Sequence, residues 1–294
     1  MTRTVGARNV KSFDTLTKIE TSSSSDIKHL SDAANKTALE QFKTVLKNQQ
    51  NYIKWIESRH AELMKLKKAG GQKGPKDATY NKYIWYAEQN SLLEAINAFE
   101  VFYKRSAINL AKSLRSYVPP DRMKGTVDNK ILWSVTGKFS IPELIFEHQL
   151  YHDLDNIDQV TDALIQEKRY NKSNKKTNKL AKTNACIGAI FQIRHTISHN
   201  YGLVTRSDCA KFKFASFEST SGEVIDPTKN SFGLSVNRFL EAEAVAFTEW
   251  LLINTAKYLR ELNSSIGTPL EKSALSRVET GLGKHASISA LPWV

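Results

Sequence analysis

Gln192-Ile-Arg-His-Thr-Ile-Ser-His-Asn-Tyr-Gly202 is the stretch on which the reading of this chain turns. At about 100° per residue, Cys186, Ile190, Ile193 and Ile197 fall on one apolar stripe of a helix running from Asn178 to Tyr201, with Gly202 as its stop. Arg194 and Ser198 flank that stripe, and His195 and His199 lie opposite. One face is therefore built to be buried and the other carries a guanidinium and two imidazoles. Arg194 and His199 are five residues apart, which splays them by about 140° on an ideal helix. The geometry asks for a second helix, or the same helix of a second subunit, to complete a shared cleft.

Upstream, Thr79 to Tyr117 is the longest strongly helical segment, with Leu92, Leu93, Ile96, Phe99, Val101, Phe102, Ile108, Leu110 and Leu114 as its apolar face. Pro119 and Pro120 end it. Ser140-Ile-Pro-Glu143 carries the Ser-x-x-Glu pattern of a capping box, and a helix is expected from there to about Glu167. Downstream, Lys211-Phe-Lys-Phe-Ala-Ser-Phe217 alternates polar and apolar before the turn signal Ser221-Gly222, which predicts a β-hairpin over about 208–230. Val236 to Leu262 returns to helical spacing. The expected fold is mainly α: a helical bundle over 76–262 with a β-hairpin insertion. A flexible polar stretch at 1–25 and a long helical extension and linker at 26–75 precede it, and a small-residue tail at 263–294 follows. Gly70-Gly-Gln-Lys-Gly-Pro75 in that linker lacks the Gly-Lys-Ser/Thr ending of a phosphate-binding loop.

The chain has 294 residues, 40% hydrophobic and 24% charged, with a formal charge of +12. No apolar run is long enough for a transmembrane helix. Met1-Thr-Arg-Thr-Val-Gly6 lacks the basic and apolar segments of a secretory signal, so a cytoplasmic location is expected. Cys186 and Cys209 are too few for a disulfide framework. The charge is unevenly placed: between Lys168 and Ser207 there is no Asp or Glu, and nine Lys and Arg residues sum to +9. Lys168, Arg169, Lys172, Lys175, Lys176, Lys179 and Lys182 would concentrate a polyanion beside the motif, and Asn200 adds a polar contact at its end.

Arg194-His-Thr-Ile-Ser-His199 resembles the Arg-x4-6-His motif of HEPN domains, helical bundles that carry it on a late helix, often with a polar residue directly after the Arg. His195 fills that position, and the resemblance spans about Thr79 to Leu262. It implies a metal-independent endoribonuclease, without cofactor, whose composite site forms across a homodimer. It also implies a toxin, stress or antiviral defence setting in which an inhibitory or regulatory protein partner is expected.

The residue types support such chemistry independently. RNA brings its own nucleophile, the 2′-hydroxyl, so the protein must supply a group to move that proton and a cation for the phosphate. An imidazole titrates near working pH, which suits His199. A guanidinium stays charged and can hold two phosphate oxygens, which suits Arg194. His195 could bind phosphate, orient His199 or protonate the departing oxygen. Two other readings compete: a binding module for RNA or protein without catalysis, and a metal-dependent hydrolase using the i, i+4 pairs His148/His152 or His195/His199.

Overall fold

The computed structural model describes residues 21–23, 25–33, 35–70, 76–123, 140–171 and 180–294. The chain divides into two compact units, Met1–Asn35 and Lys36–Val294. The described part of the first holds one short helix, α1 (Lys28–Ala33). The expected stretch at 1–20 and the linker at 71–75 lie outside the described residues.

The second unit is organised by α3 (Asp77–Leu114). From Ala87 to its end, α3 buries residues on more than one face, including Leu92, Ile96, Phe99, Phe102, Tyr103, Leu110 and Leu114. Small residues between them, Ser91, Ala95, Ser106, Ala107 and Ala111, are buried as well. A helix with large apolar groups and small gaps around its circumference can be covered from several sides. It is packed by α2 (Ala38–Gly70), α4 (Ile141–Phe146), α5 (Leu154–Ile165), α6 (Ala181–Asn200), α8 (Phe232–Ile266) and α9 (Lys272–Leu282). Phe42 of α2, Phe99, Phe102 and Tyr103 of α3, and Phe247 of α8 form an aromatic centre, with Tyr103 and Phe247 edge to face at 4.9 Å between centroids. No helix among the described residues is long and apolar enough to cross a membrane.

The bundle is larger than the 76–262 expected from sequence. The first turns of α2 bury Ala38, Phe42 and Leu46, and only the residues beyond Leu46 stand clear of the core. Thr37 and Glu40 open α2 reciprocally: the Thr37 amide donates to Glu40 Oε2 at 2.8 Å and the Glu40 amide to Thr37 Oγ1 at 3.2 Å. This Thr-x-x-Glu box marks where the core begins.

The segment after Asn263 packs on the core, its apolar last residues included. Leu270 is buried just before α9, Ala274, Val278 and Leu282 are buried along one stripe of it, and Ile288 in α10 (Ala286–Ser289) and then Leu291 follow. Gly281 lets this helix close on α3: a Cβ there would lie 2.8 Å from Asn109 Cβ, whose Nδ2 donates to the Gly281 carbonyl at 3.0 Å. Exposed Ser273 and Ser276 and the small Gly281 conceal this four-residue periodicity.

Two further expectations are corrected. The helix foreseen from Ser140 to Glu167 is broken: α4 ends at Phe146 and α5 starts at Leu154, with Asp153 Oδ1 accepting from the Asp155 amide at 3.0 Å as a new N-cap. Ser140 occupies the N-cap of α4 but makes no side-chain capping bond. His148 and His152 therefore do not share a helix face, which removes the i, i+4 premise of that metal pair.

The hairpin over 208–230 is also absent, for residues 206–214 form α7 (Arg206–Phe214). Thr205 and Asp208 cap it in a complete capping box, and of its two phenylalanines Phe212 is 3% exposed and Phe214 85%. The alternation of Lys211-Phe-Lys-Phe214 is thus helical, with one buried phenyl and one outside. A lone antiparallel bridge pairs Leu203 with Val224, so residues 222–225 lie along 202–204 rather than along 211–217.

Burial pushes the Asp208 carboxyl up. Bonds from the Thr205 amide and hydroxyl and from Gln192 outweigh this and hold it below its ordinary value. A depressed carboxylate stabilises the fold above its unfolded pKa, and that contribution is lost as pH falls through the folded value. Thr205→Ala, which removes the hydroxyl half of the box, is expected to cost about 1 kcal/mol. Urea unfolding checks this, and an unchanged midpoint would show that the cap contributes nothing.

Candidate functional site

The helix α6 buries Ile187, Ala189, Ile190, Phe191, Ile193, Thr196 and Ile197 against the core. Two rows border this buried face, Phe191–Arg194–Ser198, which starts from the buried Phe191, and Gln192–His195–His199, each spaced by three and four residues. Both rows line one groove of about 480 Å³, together with Gly188, with Lys211 of α7 and with His152 from the turn before α5. Arg194 and His199, splayed by the helical geometry, thus border the same space within a single chain.

The first row is tied to α3. Arg194 Nε donates to Asn97 Oδ1 at 2.6 Å, and its Nη1 lies 3.5 Å from Glu100 Oε2. The other Glu100 oxygen, Oε1, is 3.3 Å from His152 Nδ1. One carboxylate therefore connects the guanidinium of α6 with an imidazole from a different element. The Arg194 side chain is still 37% exposed, so part of its fork is available to a ligand. Asn97 and Glu100 lie three apart on α3, in line with Glu94, and nothing local sets them apart from an ordinary polar stripe.

The second row is tied to α7. Gln192 donates from Nε2 to Asp208 Oδ1 at 2.7 Å and accepts at Oε1 from Lys211 Nζ at 2.8 Å. Asp208 thus uses its oxygens on the helix cap and on Gln192, and Lys211 contributes positive charge to the groove. Lys211 was hidden from sequence reasoning by the strand assignment. His195 and His199 are exposed, with ring centroids 4.6 Å apart and planes tilted by 44°. At the end of α6, Tyr201 and Gly202 take positive φ values of 53° and 81°, and the Gly202 amide donates to the Thr196 carbonyl at 3.0 Å. A side chain at 202 would meet Gln89 Nε2 at 3.0 Å, so glycine serves both the turn and the close approach.

The basic flank is divided. Arg169 is a buried structural residue, not a phosphate contact: its Nε donates to Glu243 Oε1 at 3.0 Å, and the two side chains are 9% and 7% exposed. Tyr170 donates to the same carboxylate oxygen at 2.9 Å and hydrogen bonds to the Tyr103 hydroxyl. The Arg169 guanidinium also lies over the Tyr170 and Trp250 rings. Lys168 is paired with Asp162 at 3.3 Å. Lys182 is exposed near the start of α6, about 25 Å along the axis from His199. Asn200 is half-buried at the end of that helix. Lys172, Lys175, Lys176 and Lys179 lie outside the described residues.

Among the described residues no group of three or more His, Cys, Asp or Glu side chains is arranged to hold a metal ion. The chain matches no protein-family model, and it has no significant match among curated proteins or solved structures. The groove must be interpreted from its own chemistry.

Proposed function

We propose that the α6 groove is a ribonuclease site of the HEPN kind, cleaving RNA by attack of the 2′-hydroxyl to leave a 2′,3′-cyclic phosphate and a 5′-hydroxyl. The observation that carries this reading is the meeting of Arg194 and His199 on one solvent-open groove. Arg194 binds the non-bridging phosphate oxygens as charge accumulates on them, and its bond to Asn97 fixes the guanidinium before the substrate arrives. His199 accepts the proton of the attacking hydroxyl. Lys211 of α7 adds a cation beside Gln192, where it favours the polyanion as a point charge.

A homodimer belongs to this reading, although Arg194 and His199 already share a groove in one chain. The second copy would enclose the RNA and exclude water rather than assemble the pair. The described cations near the groove are few, so binding should depend on salt with a modest slope. The defence setting and an inhibitory partner rest on the motif resemblance alone.

The test is a short RNA in which the nucleotide at the cleavage site carries 2′-deoxyribose. The deoxy position should stay uncut while flanking ribonucleotides are processed. Cleavage at the deoxy position would show that water or another external nucleophile attacks, and that the site is not of this kind.

A further inference from the structure

Transfer of a phosphate from O5′ to O2′ requires two proton movements at opposite ends of an in-line displacement. A base must act on the attacking oxygen and an acid on the leaving one, from opposite sides of phosphorus. His195 and His199 cannot divide these roles well, because they are neighbours in one row of one helix, with rings 4.6 Å apart. His152 comes from the turn before α5 and lines the same groove beside the other row, its ring 6.2 Å from Phe191. Its Nδ1 faces Glu100 at 3.3 Å, so Nε2 is the nitrogen left for a ligand. A carboxylate beside one imidazole nitrogen fixes the tautomer and ring orientation, so that the other nitrogen is presented to the groove.

We propose that His152 is the general acid of the groove, with Glu100 as its positioning residue; this rests on the ribonuclease reading above. His199 takes the proton from O2′ as the O2′–P bond forms. The P–O5′ bond breaks, and the His152 imidazolium gives its Nε2 proton to O5′. The products are the cyclic phosphate and a free 5′-hydroxyl, with His199 left protonated and His152 neutral. Exchange with water then restores both. Glu100 also contacts Arg194, so one carboxylate sets the acid and the phosphate-binding guanidinium in a common register.

The experiment compares a single-stranded oligoribonucleotide with the same RNA carrying a bridging 5′-sulfur at one cleavage site, whose thiolate leaves without protonation. His152→Gln is expected to cleave the oxygen substrate about 10²–10⁴ times more slowly than the wild type, and the sulfur substrate within a few-fold of it. Glu100→Gln should show a smaller loss on oxygen that sulfur also relieves, which a merely structural lesion would not do. His199→Ala should be slow on both. Equal cleavage of the oxygen substrate by His152→Gln and the wild type would overturn the assignment, as would a loss that sulfur does not relieve. If His199→Ala abolishes cleavage in that case, the ribonuclease reading stands without this acid. A wild-type chain that cleaves neither RNA overturns both.

Discussion

His199→Ala is expected to lower the rate of RNA cleavage by about 10²–10⁴-fold while leaving the fold intact. The side chain is exposed near the end of α6, its ring 4.6 Å from that of His195, and substitutions at such positions change stability by about 0.5 kcal/mol or less. A large loss of rate beside an unchanged melting curve would therefore report chemistry. Arg194→Ala should cost about 10²–10³-fold through the lost phosphate contact. Arg194→Lys should recover only part of this, because an ammonium keeps the charge but loses the fork that meets both Asn97 and a phosphate. Losses in the double variant should fall well short of the product of the two, since both residues serve one step. A His199→Ala variant that cleaves at the wild-type rate would remove this residue from the chemistry.

The largest expected effect on stability lies away from the groove. Arg169→Ala should destabilise the fold by about 3–5 kcal/mol, since it leaves Glu243 buried and uncompensated. The consequence extends to Tyr170 and Tyr103. Burial raises both phenols well above their ordinary range, so they stay neutral and serve as hydrogen-bond donors in the same network. Arg169→Met combined with Glu243→Gln should be less damaging than Arg169→Ala alone, because it removes both charges and keeps an acceptor for Tyr170. Denaturant midpoints decide this. If Arg169→Ala unfolds like the wild type and instead weakens RNA binding, Arg169 belongs to the surface.

These two outcomes mark where sequence reasoning succeeded and where it could not. The helical periodicity of α3, α6 and α8 was legible because each repeats large apolar residues at three and four over several turns. The motif face of α6 followed from the same count. Arg169 was misread because a charge in an acid-free run looks solvated, and its partner Glu243 is distant in sequence and known only from the fold. The region 206–214 was misread because Lys-Phe-Lys-Phe fits a two-residue period, although Thr205-x-x-Asp208 signalled a helix start. The broken helix at 147–153 turned on whether Asp153 acts as an interior residue or an N-cap, and local sequence allows both. His152 and Glu100 are 52 residues apart, and their contact depends on where that break places the imidazole. Long-range pairs of this kind are set by tertiary packing, which no local periodicity encodes.

The central claim is that Arg194 and His199 form a metal-independent RNA-cleaving site. It is tested most directly by incubating the purified chain with single-stranded RNA in excess EDTA beside Arg194→Ala and His199→Ala. Cleavage should persist in EDTA, leave 2′,3′-cyclic phosphate and 5′-hydroxyl ends, and be lost in both variants. Cleavage abolished by EDTA and retained by both variants would contradict it.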